Sequence, residues 1–186
     1  MTHPFELATV PESIAVRCPD CTGMAAWFAA RSGIVEDKEL RRRAAESQAC
    51  DVDASVGWGN NRQTVVTYYP QLDVGDPMRE LAERLPRTDG GRGTRLCAAC
   101  GERARHELNW PDDAWFRCEV RGKTLWAWDR SYAADLREFI ASAARDRHTH
   151  EHPLFLMHIP GHFLLAKHRE AAVKKLQRLL EGAHPA

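Results

Sequence analysis

The chain has 186 residues, of which 44% are hydrophobic, and its formal net charge is zero. This length suits one domain of moderate size or two small ones, with enough apolar residues for a buried core. The first ten residues lack a basic start and an apolar run, and no segment of about 18 apolar residues occurs. We therefore expect a cytoplasmic protein with no membrane span.

The first predicted elements are a hairpin and a helix. Two short apolar segments within residues 14–28 flank Cys18-Pro19-Asp20-Cys21, and this pattern favours strands joined at the cysteines. Residues 36–49 are predicted to form a helix, because small and apolar residues lie on one side and charged residues on the other. Cys50 follows as a half-buried apolar residue.

The middle of the chain is predicted to contain a turn, a strand, a helix and a linker. Residues 57–61 form the turn, residues 64–69 the strand, and Asp76-Pro77 begins the helix with a cap and a first-turn proline. Glycines and charges over residues 86–93 indicate a linker. We therefore divide the chain into residues 1–93 and 94–186, and expect the two parts to form one compact unit.

The second part begins with Cys97-Ala98-Ala99-Cys100 and continues into a hairpin. Apolar residues alternate with charged ones after Trp115, residues 121–123 turn, and the chain returns to Trp128. Cys118 lies on the apolar side and is predicted to be in the core. Four tryptophans within residues 110–128 form either a wall of the core or an exposed platform on which bases stack.

Two helices are predicted to complete the chain. The first is capped by Ser131 and runs to Arg145, and the second runs from Gly161 or His162 to Glu181. Lys167, Lys174 and Arg178 line up on the outer face of the second helix, where they could follow a phosphate backbone. Glutamates share that face, and helix surface pairing explains the stripe equally well. Residues 92–186 carry 16 basic and 12 acidic residues.

Cys18, Cys21, Cys97 and Cys100 are the candidate metal ligands. Two Cys-x-x-Cys turns can supply four thiolates to one tetrahedral Zn²⁺, and six cysteines in a cytoplasmic chain favour metal over disulfides. The two turns and the glycines that follow them resemble zinc-ribbon knuckles. The resemblance covers about a dozen residues around each pair and implies one structural zinc site with an inserted segment, because 75 residues (22–96) separate the pairs.

Two alternatives to a shared zinc site remain open. Each pair could belong to a separate site completed by Cys50, Cys118, His106 or the histidines of residues 148–162. His158 and His162 have the spacing of a helical metal pair, although Pro160 separates them. His106 is also a candidate second-shell or substitute ligand. Alternatively, Cys18 and Cys21 could form the reactive pair of a thiol-disulfide oxidoreductase, as in glutaredoxin-like enzymes.

The sequence predicts an α+β fold, with zinc-ribbon-like knuckles, short antiparallel strands and three to four packed helices. We find no phosphate loop, nucleophile elbow, dinucleotide fingerprint or zinc-deaminase pattern, and hence no catalytic residues. The predicted function is therefore that of a non-enzymatic zinc-binding scaffold or interaction module. Its basic C-terminal half would contact nucleic acid or a protein partner. A structural or regulatory subunit without nucleic-acid contact is the other alternative.

Overall fold

The computed structural model describes residues 11–56, 62–72, 78–79, 85–86 and 91–182. The strands are β1 (Ser13–Arg17), β2 (Met24–Ala29), β3 (Arg31–Ile34), β4 (Cys50–Val56), β5 (Arg62–Tyr68), β6 (Arg92–Cys97), β7 (Arg103–Glu107), β8 (Phe116–Val120) and β9 (Lys123–Ala127). The α-helices are α1 (Lys38–Glu46), α2 (Arg130–Ala141), α3 (Pro153–Met157), α4 (Gly161–Leu164) and α5 (Ala166–Leu180). The structure thus has the mixed helices and antiparallel sheets of the predicted α+β class.

The chain forms two compact units, residues 18–109 and residues 1–17 with 110–186. Strand β6 runs through residues 93 and 94, at which the sequence prediction divides the chain. The segment interpreted as a linker therefore ends inside a sheet. Both cysteine pairs fall within the unit of residues 18–109.

Antiparallel pairing organises the unit of residues 18–109. Strand β2 pairs with β6, and β6 with β7, while β5 pairs with both β3 and β4. A small core includes Ala44 of α1, Cys50, Val66 and Met78. Cys50 is buried, more completely than the half-buried position predicted for it. Strands β3 and β4 have no counterpart in the sequence prediction.

Helix α1 is shorter than the predicted helix of residues 36–49. Asp37 begins it, because its Oδ1 accepts a hydrogen bond of 2.9 Å from the Leu40 N–H. Arg42 lies between Glu39 and Glu46 and bonds both, so the arginine-rich side is a solvated face held by local ion pairs. Ser47, with an extended backbone, ends the helix.

The hairpin of β8 and β9 forms the centre of the other unit and confirms the predicted hairpin. Phe116 pairs with Ala127 and Val120 with Lys123. Its apolar side packs with α2 and α5 in a core that contains Cys118, which is 9% exposed. The rings of Trp110, Trp126 and Trp128 lie 4.5 to 5.1 Å apart and Trp110 and Trp128 are buried. The tryptophans therefore contribute to the core.

Two helix boundaries in this unit correct the sequence prediction. Asp129, not Ser131, caps α2, since its carboxylate accepts the N–H groups of Ser131 and Tyr132. The last helix is interrupted at Leu165, which is extended. At this break an Arg145 guanidinium N–H donates to the Leu164 carbonyl at 2.6 Å, and His168 Nδ1 donates to the His162 carbonyl at 2.8 Å. Side chains thus satisfy carbonyls that a continuous helix would use.

Three sequence predictions fall wholly or partly outside the described residues: the turn of residues 57–61, the helix that follows Asp76-Pro77, and residues 87–90 of the linker predicted over residues 86–93. Among the helices in the described part of the chain, none is long and apolar enough to cross a membrane.

Candidate metal centre

The first cysteine pair lies in a tight turn between β1 and β2. The Cys18 N–H donates to the Gly23 carbonyl, and the Thr22 N–H donates to the Cys18 carbonyl, both at 2.8 Å. Thr22 has a φ of 60°, in the left-handed region that side chains with a branched Cβ rarely adopt. The backbone of the turn therefore closes on itself around the two sulfurs.

The second pair repeats this backbone geometry between β6 and β7. The Cys97 N–H donates to the Glu102 carbonyl, and the Gly101 N–H donates to the Cys97 carbonyl, both at 2.9 Å. Gly101 has a φ of 76° and stands where the first turn has Thr22. The two turns are therefore equivalent knuckles, and the glycine that a left-handed backbone favours occupies this position only in the second.

The two knuckles bring four sulfurs together. The Sγ atoms of Cys18, Cys21, Cys97 and Cys100 all lie within 4.8 Å of one another. Cys18 Sγ is 3.8 Å from Cys100 Sγ, and Cys21 Sγ is 3.5 Å from Cys97 Sγ. Pairing of β2 with β6 sets this approach, because Ala25 lies opposite Cys97. These four residues can hold a metal ion.

Burial differs within the cluster: Cys18 and Cys97 are buried, and Cys21 and Cys100 are exposed. None of the six cysteines forms a disulfide bond. The centre therefore has an inner pair of sulfurs within the sheet and an outer pair at the surface.

The sulfur atoms also influence one another's protonation. Backbone N–H groups, first that of Cys100, lower the pKa of Cys97 to about 6. The Glu102 N–H lowers the pKa of Cys100, but the hydrogen bond with Cys97 and burial outweigh it and raise that pKa to about 12. The Gly23 N–H lowers the pKa of Cys21. The hydrogen bond with Cys97 and burial outweigh this effect, so the pKa of Cys21 is raised. A cation is needed for all four sulfurs to ionise together.

A buried arginine joins the two knuckles. Arg95 is only 5% exposed, and its guanidinium bonds the carboxylate of Asp20, which lies between Cys18 and Cys21. Arg95 and Cys97 are two residues apart on β6, so the period of a strand places them on the same side of the sheet. Sequence analysis missed this pair. The spacing of Arg95 and Cys97 was the signal that could have indicated it.

The alternative ligands lie elsewhere. His106 is not a member of the cluster, because it lies opposite Gly93, four residues from Cys97 along β6, which corresponds to about 13 Å of strand. Its carbonyl accepts a hydrogen bond from the Trp27 indole. Cys50 and Cys118 are buried in the apolar cores of their units. Burial raises the pKa of the Cys118 thiol to about 11.

The histidines of residues 148–162 have other neighbours. His150 Nδ1 lies 3.4 Å from the Asp135 carboxylate, and His152 Nε2 lies 2.8 Å from Ser131 Oγ. His162 Nε2 donates to the Val120 carbonyl at 3.1 Å. His158 is exposed at the end of α3. Within the described residues these histidines form no cluster with metal-site geometry.

The cations predicted to contact nucleic acid are exposed along α5. Lys167, Lys174 and Arg178 all lie at the surface, as do Glu170 and Glu181. Their contact with phosphate stays a prediction.

Comparison with known proteins identifies no relative. No protein-family model matches the chain, and neither the curated proteins nor the solved structures contain a significant match.

Proposed function

We propose that the four cysteines hold one structural Zn²⁺ and that the protein is a non-enzymatic scaffold or interaction module. The observation that carries the proposal is the convergence of two equivalent knuckles, distant in sequence, on one cluster of four sulfurs. A bound zinc ion would supply fixed tetrahedral coordination, not a reactive centre, because four protein ligands leave no open position.

The sulfur geometry fits zinc. Tetrahedral Zn²⁺ with Zn–S bonds of about 2.3 Å has sulfurs about 3.8 Å apart, and the two close contacts between the knuckles are 3.5 and 3.8 Å. Four thiolate ligands are typical of structural zinc. The raised pKa of the exposed Cys21 makes that residue a poor thiolate nucleophile in the metal-free chain.

Elemental analysis of the freshly purified protein tests this proposal. We expect one zinc per chain in the wild type and none in either double variant, Cys18→Ser/Cys21→Ser or Cys97→Ser/Cys100→Ser. Cys50→Ser is the matched control and should retain the metal. Zinc in only one double variant would favour separate sites. Absence of zinc from the wild type, with thiol-disulfide exchange that depends on Cys18, would favour the oxidoreductase.

The exposed cations of α5 support a nucleic acid as the interaction partner. A nucleic acid whose phosphates contact Lys167, Lys174 and Arg178 would bind with a log–log salt slope of about −3. Charge reversal by Lys174→Glu/Arg178→Glu should then reduce retention on DNA or RNA and make the slope shallower. Unchanged retention would exclude this stripe as the contact and leave a protein partner as the proposed one.

A further inference from the structure

The burial of the cysteine cluster gives each knuckle one outer and one inner sulfur. Cys21 and Cys100 are exposed, whereas Cys18 and Cys97 are fully buried. The contacts between the knuckles cross this division, because Cys21 Sγ lies 3.5 Å from Cys97 Sγ and Cys100 Sγ lies 3.8 Å from Cys18 Sγ. Each outer sulfur therefore contacts an inner sulfur of the opposite knuckle.

The other two cysteines are shielded from an oxidant in solution. Cys50 and Cys118 are buried in separate apolar cores. Burial raises the pKa of Cys118 to about 11, so its thiol stays protonated at neutral pH. Zinc ligands, in contrast, are thiolates, and the thiolate is the form of cysteine that peroxides oxidise. Oxidation should therefore begin at the two outer sulfurs of the centre.

We propose that a peroxide oxidises this centre to two disulfides between the knuckles, Cys21–Cys97 and Cys18–Cys100, and thereby releases the metal. The proposal rests on the structural zinc proposed above and adds a means of regulating it. Each disulfide removes two of the four thiolates that a closed zinc site needs. The oxidised chain keeps β2 and β6 linked at the knuckles, so disulfides replace the metal as the cross-link of the sheet.

The reaction balances for each pair of sulfurs. The outer thiolate attacks one oxygen of hydrogen peroxide, so that an S–O bond forms, the O–O bond breaks and hydroxide leaves. The inner thiolate then attacks the resulting sulfenic acid, which forms the S–S bond and expels a second hydroxide. The two sulfurs thus give two electrons to the peroxide, and both hydroxides take protons from the solvent to become water.

Peptide mapping of the zinc-loaded full chain tests the proposal. Zinc content is measured, the chain is treated with hydrogen peroxide, its remaining thiols are alkylated in urea, and trypsin cleaves it without reduction. Cleavage after arginine leaves both cysteines of the first knuckle in the peptide 18–31 and both of the second in 96–103. We expect these two peptides to be joined, Cys50 and Cys118 to be alkylated, and the zinc content to fall from one per chain to none. Dithiothreitol with added Zn²⁺ should restore zinc binding.

Single serine variants assign the two pairs. In Cys21→Ser the remaining outer sulfur, Cys100, should link to Cys18 and leave Cys97 alkylated, whereas a disulfide within the second knuckle would leave Cys18 alkylated. In Cys100→Ser, Cys21 should link to Cys97. Cys50→Ser is the matched control and should release zinc at the wild-type rate.

The outcomes separate this proposal from the structural zinc on which it rests. Disulfides within the peptides 18–31 and 96–103, or zinc and four free thiols retained after the peroxide treatment, would overturn the proposal. Absence of zinc before the treatment overturns the structural zinc and with it the release. The first measurement shows that failure separately from a failure of the pairing between knuckles.

Discussion

The indole of Trp27 lies directly against Gly93. A Cβ built on Gly93 would lie 2.5 Å from Trp27 Cε2 and 2.3 Å from the Phe28 carbonyl oxygen. The backbone of β6 at Gly93 thus lies too close to the buried indole of β2 for any side chain, and the indole N–H donates to the His106 carbonyl at 3.3 Å. This contact packs β2, β6 and β7 together.

Gly93→Ala should therefore destabilise the unit of residues 18–109 by about 3 kcal/mol or more, since neither the backbone oxygen nor the buried ring can move away freely. Urea unfolding followed by circular dichroism, together with zinc content, would measure the effect. Gly161→Ala is the control: a Cβ there meets no atom within 4 Å, and its effect should stay within about 0.5 kcal/mol. A neutral Gly93→Ala would contradict the close packing.

Thr22 should be replaceable by glycine with a gain in stability. The left-handed backbone costs a threonine of the order of 1 kcal/mol, and glycine removes this strain at some cost in unfolded-state entropy. We expect Thr22→Gly to raise the free energy of unfolding of the zinc-loaded protein by about 0.5 to 1 kcal/mol. Gly101→Ala should lower the free energy of unfolding by about 1 kcal/mol. The new Cβ would have no atom within 4 Å, so the cost comes only from the left-handed backbone. Changes of the same sign in both variants would show that the knuckles are not equivalent.

Asp20→Asn should loosen the metal centre. The substitution leaves the buried guanidinium of Arg95 without its carboxylate, which should cost about 1 to 2 kcal/mol and speed zinc loss about tenfold. Competition with a chromogenic chelator measures the rate of zinc loss. Asp53→Asn changes an exposed carboxylate of β4 and should leave this rate unchanged. Equal rates for Asp20→Asn and the wild type would show that the ion pair does not support the centre.

The buried thiol of Cys118 should make the free energy of unfolding fall as the pH rises into the alkaline range. Its pKa is raised by burial from the model-compound value of 9.0 to about 11, so the neutral thiol is the form favoured by folding. Its contribution is fully present below pH 9 and is lost as the pH rises through 11. Two pKa units correspond to about 2 to 3 kcal/mol.

Cys118→Val is the matching variant, since it keeps an apolar side chain of similar size. The loss in free energy of unfolding between pH 8 and pH 11, measured by urea titration with tryptophan fluorescence, should be smaller in Cys118→Val than in the wild type. Identical losses in the two proteins would show that the thiol does not couple to folding.

Local patterns predict some of these elements well. The β8–β9 hairpin follows from alternation over residues 116–127, and the cysteine cluster is the arrangement that the spacing of the two pairs favoured. Both depend on residues close in sequence or on a repeated motif. The apolar pattern likewise indicated the burial of Cys118.

Other elements depend on distant residues and could not be predicted in this way. Strand β4 contains Asp51, a residue type that strands disfavour, and its carboxylate is accommodated by Tyr69 Oη at 2.8 Å and by Arg105 at 2.6 Å. The helix break at Leu165 depends on Arg145, nineteen residues away from Leu164. The Arg95–Asp20 pair joins residues 75 positions apart. Such partners become neighbours only after the chain has folded.

The distance between the knuckles along the chain also determines when the centre can form during synthesis. Cys21 precedes Cys100 by 79 residues, which a ribosome adds in roughly 4 to 16 s at 5 to 20 residues per second. Until then the nascent chain carries only half of its ligands. On the proposal of one shared zinc ion, the metal is inserted only after both knuckles have been synthesised.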